Sequence, residues 1–277
     1  MKQLFKMGSK LTGRLDIIVS LIGFILLGIV WYLITKFQLI NPLILPSPGR
    51  VLRSYGELYQ SADLTGNILF SVKLNVIGYI EAIAIALPVG FIIGLIPVCR
   101  SLFSKYVDAI RFIPLTAVTG IFIAWFGIEF GMKVHFLAFG ILIYLLPVVV
   151  QRIDDVETRY TQTIWTLGAN NYQTIQHVYL PSVLSKISDD IRVLVAISWT
   201  YIIVAELVNK EGGVGAMIFT SLKQGRIEQV YAILSIIIII GFIQDKFFKM
   251  LDKTFFSYKY ANGYKIITYI KTIIFKK

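Results

Sequence analysis

The sequence contains a single cysteine, Cys99, and only two histidines, His135 and His177. One cysteine cannot form an intramolecular disulfide or build a cysteine-based metal cluster, and two histidines without carboxylates at ligand spacing offer no recognisable zinc site. The sequence also lacks the G-x-x-x-x-G-K-[ST] pattern with which a P-loop cradles nucleotide phosphates. No Ser/His/Asp or Cys/His arrangement suggests nucleophilic catalysis. We therefore expect no metal site, no cofactor bound by this chain and no enzymatic activity of its own.

Charged residues are scarce as well. They make up 16% of the 277 residues, whereas 56% are hydrophobic. Soluble domains carry about 25% charged residues, which cover their surface. A chain this apolar predicts that lipid is its main solvent. The net charge of +11 then reflects membrane topology, and we expect no nucleic-acid partner.

Six stretches are apolar enough to cross a bilayer as helices. The hydrocarbon core takes about 20 apolar residues, and the last two stretches need flanking residues to reach that length. We expect the first stretch to remain as a signal anchor, because no small-x-small cleavage site follows it before Phe37. The six predicted spans are 17–35, 74–99, 112–128, 134–150, 193–208 and 229–244. They predict an all-α integral membrane protein with six transmembrane helices.

The basic residues predict the orientation of these spans. Most of them fall on one side of the membrane if the N-terminus lies inside: Lys2, Lys6, Lys10 and Arg14 in the first tail, Arg100, Lys105 and Arg111, then Arg152, Arg159, Lys186 and Arg192, and eight more from 246 to 277. Cytoplasmic segments of membrane proteins are enriched in Lys and Arg. Both termini are therefore predicted to be cytoplasmic.

This topology divides the chain into three parts. Residues 1–15 form an amphipathic cytoplasmic segment, residues 16–258 form the transmembrane domain, and residues 259–277 form a basic interfacial tail. The two tails carry basic and apolar faces that suit anionic lipid headgroups, so membrane lipids are expected partners. Within the domain, residues 151–192 form a long cytoplasmic loop.

The cytoplasmic loop contains a short amphipathic stretch outside the predicted spans. Apolar residues recur there at helical spacing, at Ile164, Tyr172, Ile175 and Tyr179, and an exposed apolar stripe of this kind usually docks on a partner. Gly168 permits a sharp or left-handed turn between two short helices. Pro181 is expected to end the local helix before the chain re-enters the membrane. By itself this pattern is also compatible with a plain interhelical turn.

The loop resembles the EAA loop of binding-protein-dependent ABC importer permeases. That motif reads Glu-Ala-Ala, three residues, Gly, nine residues and Ile-x-Leu-Pro. Gly168, the nine-residue gap, Val178 and Leu180-Pro181 match it, whereas Gln162-Thr163-Ile164 stands where Glu-Ala-Ala is expected. The departure places in doubt any salt bridge that the glutamate of the family makes with its ATPase.

Further segments resemble the nitrate/sulfonate/taurine class of these permeases, in the same order and spacing. They are Leu45-Pro46-Ser47-Pro48 with Val51, Arg111-Phe112-Ile113-Pro114-Leu115-Thr116-Ala117 with Trp125-Phe126-Gly127-Ile128, and Ala205-Glu206-Leu207 with Gly213-Val214-Gly215 and Ile218. The resemblance covers roughly residues 42–258.

The resemblance implies a type I ABC importer permease in a bacterial inner membrane. It implies that two copies of the chain pair around a pathway, that two separate ATPase subunits holding ATP-Mg lie beneath, and that an external substrate-binding protein docks outside. The chain would be a non-catalytic subunit that couples to the ATPase through a helix at 167–178. The implied ATPase-coupling residues are Leu167, Gly168, Ala169, Tyr172, Ile175, Val178, Leu180 and Pro181.

Polar residues within the spans are candidates for the pathway, because polar groups at membrane depth usually face a cavity or a partner. The candidates are Ser198, Thr200, Tyr201, Glu81 and Glu206. Serine and threonine can instead bond one helix to another, and Glu81, alone in the second span, can snorkel to the interface. A channel or secondary transporter is the alternative function, and a membrane scaffold is a second one. The solute stays open between nitrate, alkyl sulfonates, taurine and a small heterocycle.

Overall fold

The computed structural model describes residues 13–208 and 211–260. The amphipathic N-terminal segment predicted for residues 1–15 therefore lies outside the described residues except for its last three positions. The predicted basic tail, 259–277, lies outside them beyond Tyr260.

The described residues are helical throughout, with short connections and no strand. In chain order the helices are α1 Arg14–Lys36, α2 Pro48–Ser61, α3 Leu64–Leu95, α4 Pro97–Ile110, α5 Leu115–Phe126, α6 Phe130–Asp154, α7 Thr158–Thr166, α8 Asn171–Thr174, a π-helical turn Ile175–Tyr179, α9 Leu180–Leu207, α10 Val214–Lys223, α11 Ile227–Phe255 and α12 Ser257–Tyr260. The all-α prediction is confirmed.

Four of these helices are long and apolar enough to cross a membrane: α1, α3, α6 and α11. A fifth crossing is available if α4 and α5 count as one broken span. The fifth predicted span, 193–208, lies in α9, whose first half is polar. The number of six spans and the cytoplasmic position of both termini stay predictions.

The third predicted span differs in shape from the expected continuous helix. Its helical part, α5, has 12 residues and meets α4 at an angle of 107°. A helix of that length spans about 18 Å, less than the roughly 30 Å of a hydrocarbon core. The bend follows from Pro114, which caps α5 in an extended conformation, because proline disfavours a helical residue before it.

The chain forms two compact units, Met1–Leu64 with Met217–Leu234, and Thr65–Ala216 with Ser235–Lys277. In the first unit Trp31 of α1 stacks on Tyr231 at 6.3 Å between ring centroids, and its indole Nε1 donates a hydrogen bond to the Pro46 carbonyl at 3.0 Å. Ser54 of α2 donates a hydrogen bond to the Glu228 carbonyl at 3.2 Å.

Helix α6 is the centre of the second unit. It packs along α9, and α4 and α5 pack against it. One apolar cluster joins α5, α6 and α9 through Leu115, Phe122, Met132, Phe136 and Ala205. A second cluster joins α3, α4 and α6. These contacts fix the ends of α6 and α9, from which the functional segments extend.

Candidate coupling site and pathway residues

The loop that was predicted to be cytoplasmic contains a compact helical segment. We call it the coupling segment, and it comprises α7, Gly168, α8 and the π-helical turn, up to the start of α9. Gly168 has φ +85°, a left-handed conformation that side chains with a Cβ rarely adopt. No described atom lies within 4 Å of the position that a Cβ would take there. The turn predicted at Gly168 is confirmed, and backbone conformation alone demands the glycine.

Local hydrogen bonds explain why the chain restarts a helix directly after this turn. The Asn170 side chain accepts a hydrogen bond from the Gln173 amide, and the Gln173 side chain accepts one from the Asn170 amide, both at 2.9 Å. This reciprocal pair is a capping box, which satisfies two amides at the helix N-terminus. Trp165 of α7 donates from Nε1 to Thr174 Oγ1 at 3.0 Å, so the two short helices are held together.

The outer surface of the coupling segment carries large apolar side chains. Leu167 is 80% exposed, Tyr172 72% and Trp165 54%. All three flank the Gly168 turn, in a polar part of the chain outside the candidate spans. Apolar groups clustered around a rigid turn are typical of a surface that another protein covers.

The other residues predicted for coupling are placed differently. Ala169 and Ile175 are half-buried, and Val178 is buried. Leu180 is exposed and Pro181 half-buried at the start of α9. The structure therefore brings the eight residues into one segment but exposes only some of their side chains.

The role predicted for Pro181 is wrong in one respect. Pro181 lies in the first turn of α9 and the helical path runs through it, with Tyr179 and Leu180 both in the right-handed helical region. Proline is tolerated in the first turn of a helix, where its missing amide proton is least needed. The preceding π-helical turn is a local widening that often accompanies functional positions.

Helix α12 lies against the first turns of α9, directly after the coupling segment. Tyr258 donates a hydrogen bond to the Pro181 carbonyl at 3.1 Å, and Lys259 donates one to the Ser185 carbonyl at 3.0 Å. The Lys259 ammonium also pairs with Asp189 at 2.5 Å and with Asp252. Burial lowers the pKa of Lys259, but its hydrogen bond and ion pair with Asp189 outweigh that effect, so the pKa lies above its ordinary value. The lysine is therefore charged at neutral pH and fastens α12 to α9.

Ion pairs connect the helices at the same end of the second unit. They link α4 to α6, α6 to α9, and α9 to α11: Arg100 with Asp154, Arg152 with Asp190 and Asp155, and Arg192 with Asp245. Beside them, a cleft adjoins the coupling segment and is lined by residues that include Tyr160, His177, Lys186 and Tyr258. Through these ion pairs, a displacement of the coupling segment would be transmitted to α4, α6, α9 and α11.

Glu206, a predicted pathway residue, is fully buried at the far end of α9. Its carboxylate accepts hydrogen bonds from the Ser71 hydroxyl and, at 2.7 Å, from the Gly215 amide. The Ser71 oxygen accepts a further hydrogen bond from the Val214 amide at 2.9 Å. The carboxylate thus holds the first turn of α10, whose unpaired amides favour a negative charge.

The glycines of this loop allow the carboxylate to approach the backbone. A Cβ on Gly213 would lie 2.1 Å from the Glu206 carboxyl carbon, and the Gly213 amide donates to Asn67 Oδ1 at 2.7 Å. Gly213 has φ +102°, which also favours glycine. Residues of α3, α9 and α10 are therefore fixed around one buried carboxylate, and we call this arrangement the Glu206 clamp.

Lys133 is a buried charge that the sequence reasoning missed. Its side chain is fully buried in the first turn of α6, and its ammonium lies 5.2 Å from the centroid of the Phe70 ring. Among the described residues its Nζ has no hydrogen-bond partner, but it interacts electrostatically with Glu211 and Glu206. In the sequence Lys133 stands directly before the predicted span 134–150, so it was not counted among the charged residues within the spans.

Glu81, expected to stand alone in its span, has a partner. Its Oε1 lies 2.8 Å from His135 Nδ1, so α3 and α6 share a polar contact. Ser198 is fully buried, accepts a hydrogen bond from Asn75 Nδ2 at 2.8 Å and donates one to the Val195 carbonyl at 2.7 Å. These side chains bond helix to helix within this chain.

Thr200 and Tyr201 occupy a different position. Thr200 is exposed, and Tyr201 is half-buried with its ring stacked on that of Tyr144. Of the five predicted pathway residues, these two lie at the surface of the chain within α9. Glu206 and Ser198 do not reach that surface.

Proteins of known function resemble this chain over most of its length. The taurine transport system permease protein TauC of Escherichia coli is 25% identical over 229 residues, which are 81% of this chain and 83% of that protein. The formylaminopyrimidine transport permease protein ThiX of Halalkalibacterium halodurans is 24% identical over 79% of this chain and 88% of that protein.

Solved structures share the fold. The inward-facing MetNI methionine ABC transporter superposes with a TM-score of 0.62 at 16% identity, over 71% of this chain and 99% of that chain. A bacterial alginate ABC transporter, in complex with a periplasmic protein that carries an alginate pentasaccharide, gives a TM-score of 0.54 at 16% identity, over 85% of this chain and 94% of that chain.

A family model supplies the relationship that these likenesses indicate. Permeases of this family work with an ATP-binding subunit and a substrate-binding protein. Residues 86–257 match the family of binding-protein-dependent transport system inner membrane components, so the chain belongs to that family and is a multi-pass permease subunit of an ABC importer in the inner membrane.

Proposed function

We propose that two copies of this chain form the pathway for a small solute with an oxyanion group, of the sulfonate kind. The similarity to a taurine permease supports this solute class, because taurine carries a sulfonate. The similarity to a formylaminopyrimidine permease supports a small heterocycle as the second candidate. The import of either solute would be driven by ATP hydrolysis in a separate subunit.

We propose further that the coupling segment docks in a groove of that ATPase. The observation that carries this proposal is the exposure of Leu167 and Tyr172 on both sides of the rigid Gly168 turn. Burying one such side chain contributes about 1.5–3 kcal/mol. The usual acidic position of the family motif is occupied by Gln162, so apolar contact carries the docking here in place of a salt bridge.

ATP-Mg belongs to the partner in this account. The sequence has no P-loop, and the chain acts as a non-catalytic subunit that transmits the closure of two ATPase copies to the membrane helices. We propose that the pathway is formed by a homodimer, with one copy of this chain in each half. The substrate-binding protein would deliver the solute on the opposite face.

The test is an affinity purification of tagged chain from native membranes in mild detergent, followed by mass spectrometry and reconstitution into vesicles. We expect an ATPase and a binding protein in the eluate, and ATP-dependent uptake of taurine or an alkanesulfonate. Recovery of the chain without an ATPase would contradict the coupling proposal. Uptake of formylaminopyrimidine and not of the sulfonates would contradict the proposed solute class, but it would not contradict the proposed docking of the coupling segment on the ATPase.

A further inference from the structure

A pair of tyrosines lies between two helices in the middle of the predicted spans. Tyr144 belongs to α6 and Tyr201 to α9, and their rings are stacked with centroids 6.3 Å apart and planes inclined by 18°. Both side chains are half-buried in the single chain. Tyr144 lies within the apolar stretch 134–150 and Tyr201 within 193–208, so both are predicted to lie deep in the bilayer.

The packing around the pair fixes the ring of Tyr201. Its Cδ2 lies 3.0 Å from the position that a Cβ on Gly140 would take, and Leu115 of α5 closes the same spot at 2.8 Å. Gly140 is one turn before Tyr144 in α6. A ring held between a glycine backbone, a leucine and a second ring has little rotamer freedom, so its hydroxyl is presented in a defined direction.

The two tyrosine hydroxyls cannot both be satisfied as donors by each other. Each side chain ends in a phenol O–H, which is a donor as well as an acceptor, and the two rings are stacked with centroids 6.3 Å apart. When one phenol donates to the other, one O–H of the pair still has no acceptor from that contact. An unsatisfied polar group facing hydrocarbon costs several kcal/mol, so a partly exposed pair at this depth is better explained by a polar cavity than by lipid.

The neighbouring surface supports a polar cavity. Thr200, next to Tyr201 in α9, is exposed and adds a hydroxyl to the same stretch of helix. By contrast Tyr79, in α3, is only 4% exposed and packs against Phe248, so it faces the interior of the chain. Tyr79 therefore serves as a buried reference for the half-buried pair Tyr144 and Tyr201.

We infer that the Tyr144–Tyr201 pair lines the translocation pathway and donates hydrogen bonds to the oxyanion group of the passing solute. The inference rests on the proposed function and deepens it. Neutral donors suit this task, because a fixed cation at membrane depth would be costly and would hold an anion too tightly for release. Tyr144 was not among the residues predicted from the sequence, and it acquires a role only through its contact with Tyr201.

The first arm of the test measures access from water and does not depend on the solute. Cys99→Ser removes the native thiol, and Tyr144→Cys, Tyr201→Cys and the buried control Tyr79→Cys are introduced singly. The assembled complex is treated with a charged methanethiosulfonate in the nucleotide-free and the ATP–vanadate-trapped states. We expect positions 144 and 201 to react at least tenfold faster than position 79 in one of the states. Reaction as slow as the control in both states would overturn the inference.

The second arm tests the hydroxyls. Tyr144→Phe and Tyr201→Phe keep the stacked rings, and we expect each to raise the KM for uptake of taurine or an alkanesulfonate about tenfold, the effect of losing roughly 1.4 kcal/mol. Tyr79→Phe is the matched control and should leave the KM unchanged. An unchanged KM in both pathway variants would overturn the hydrogen-bonding role. If the wild-type complex imports no oxyanion, both the proposed solute class and the hydrogen-bonding role are refuted. The accessibility measurement still tests whether the two tyrosines line the pathway, because it does not depend on the solute.

Discussion

The guanidinium of Arg152 in α6 forms two parallel hydrogen bonds with the carboxylate of Asp190 in α9, Nε to Oδ2 and Nη2 to Oδ1, both at 2.7 Å. Planar, two-point pairing of this kind is stronger and more directional than a simple ion pair. Asp190 lies in the part of α9 that follows directly on the coupling segment. A force applied to that segment by an ATPase would therefore move α6 together with α9.

Substitutions at Arg152 and Asp190 test whether this ion pair links α6 to α9. Asp190→Asn should weaken the contact and destabilise the folded protein by about 1.5–3 kcal/mol, because a hydrogen-bonded charge loses its partner. It should also reduce the uptake obtained per ATP hydrolysed. The double variant Arg152→Asp with Asp190→Arg should restore part of both quantities. Thermal unfolding in detergent and uptake in vesicles measure them.

An exposed ion pair serves as the control for that experiment. Arg159 and Glu157 are paired in the coupling segment, and their side chains are 69% and 54% exposed. Ion pairs between exposed side chains contribute little to stability, because water and salt screen them. Glu157→Gln should therefore leave stability unchanged. If Asp190→Asn behaved like Glu157→Gln, α6 and α9 would not be linked as described.

Gly168 provides a test that separates backbone conformation from side-chain size. Gly168→Val places a β-branched residue at φ +85°, which costs of the order of 1–3 kcal/mol and should distort the turn. We expect ATP hydrolysis to continue while uptake falls at least tenfold. Gly168→Asn should retain most of the uptake, because asparagine tolerates the left-handed conformation. Both rates are measured in the same vesicles, and equal transport by the two variants would refute the conformational role.

The Glu206 clamp predicts that a methyl group added at Gly213 impairs the protein, whereas one added at an open position does not. Gly213→Ala would place its Cβ 2.1 Å from the Glu206 carboxyl carbon, so either the loop or the carboxylate must move. We expect loss of uptake and a lower thermal midpoint. Gly131→Ala is the control, because no described atom lies within 4 Å of that Cβ position. A Gly213→Ala protein as stable and active as Gly131→Ala would show that the clamp does not hold the loop.

The sequence predicted the parts of the fold that depend on local composition. Long apolar runs predicted α1, α3, α6 and α11, and the glycine pattern predicted the turn at Gly168, because both signals lie in consecutive residues. The 107° bend between α4 and α5 was not predicted, although Pro114 marks it. An apolar stretch that contains a proline is compatible both with one continuous transmembrane helix and with two shorter helices joined by a bend.

The contacts between distant residues could not be predicted in the same way. Glu81 was expected to stand alone, and Lys133 was not singled out, because their partners, His135 and Phe70, are far away in the sequence. Pairing of Tyr144 with Tyr201 likewise depends on the packing of α6 along α9. Periodicity and motifs can be recognised in a single sequence, but they do not show which faces of two distant helices pack against each other.

The most direct measurement of the account is photo-cross-linking from the coupling segment in native membranes. A photoreactive amino acid replaces Leu167, which is 80% exposed, and in a matched variant it replaces Leu52 of α2, which is 70% exposed and predicted on the opposite side of the membrane. We expect position 167 to form an adduct with an ATP-binding subunit and position 52 to form none. Absence of that adduct at position 167, or equal yields at both positions, would contradict the claim that this segment couples the permease to its ATPase.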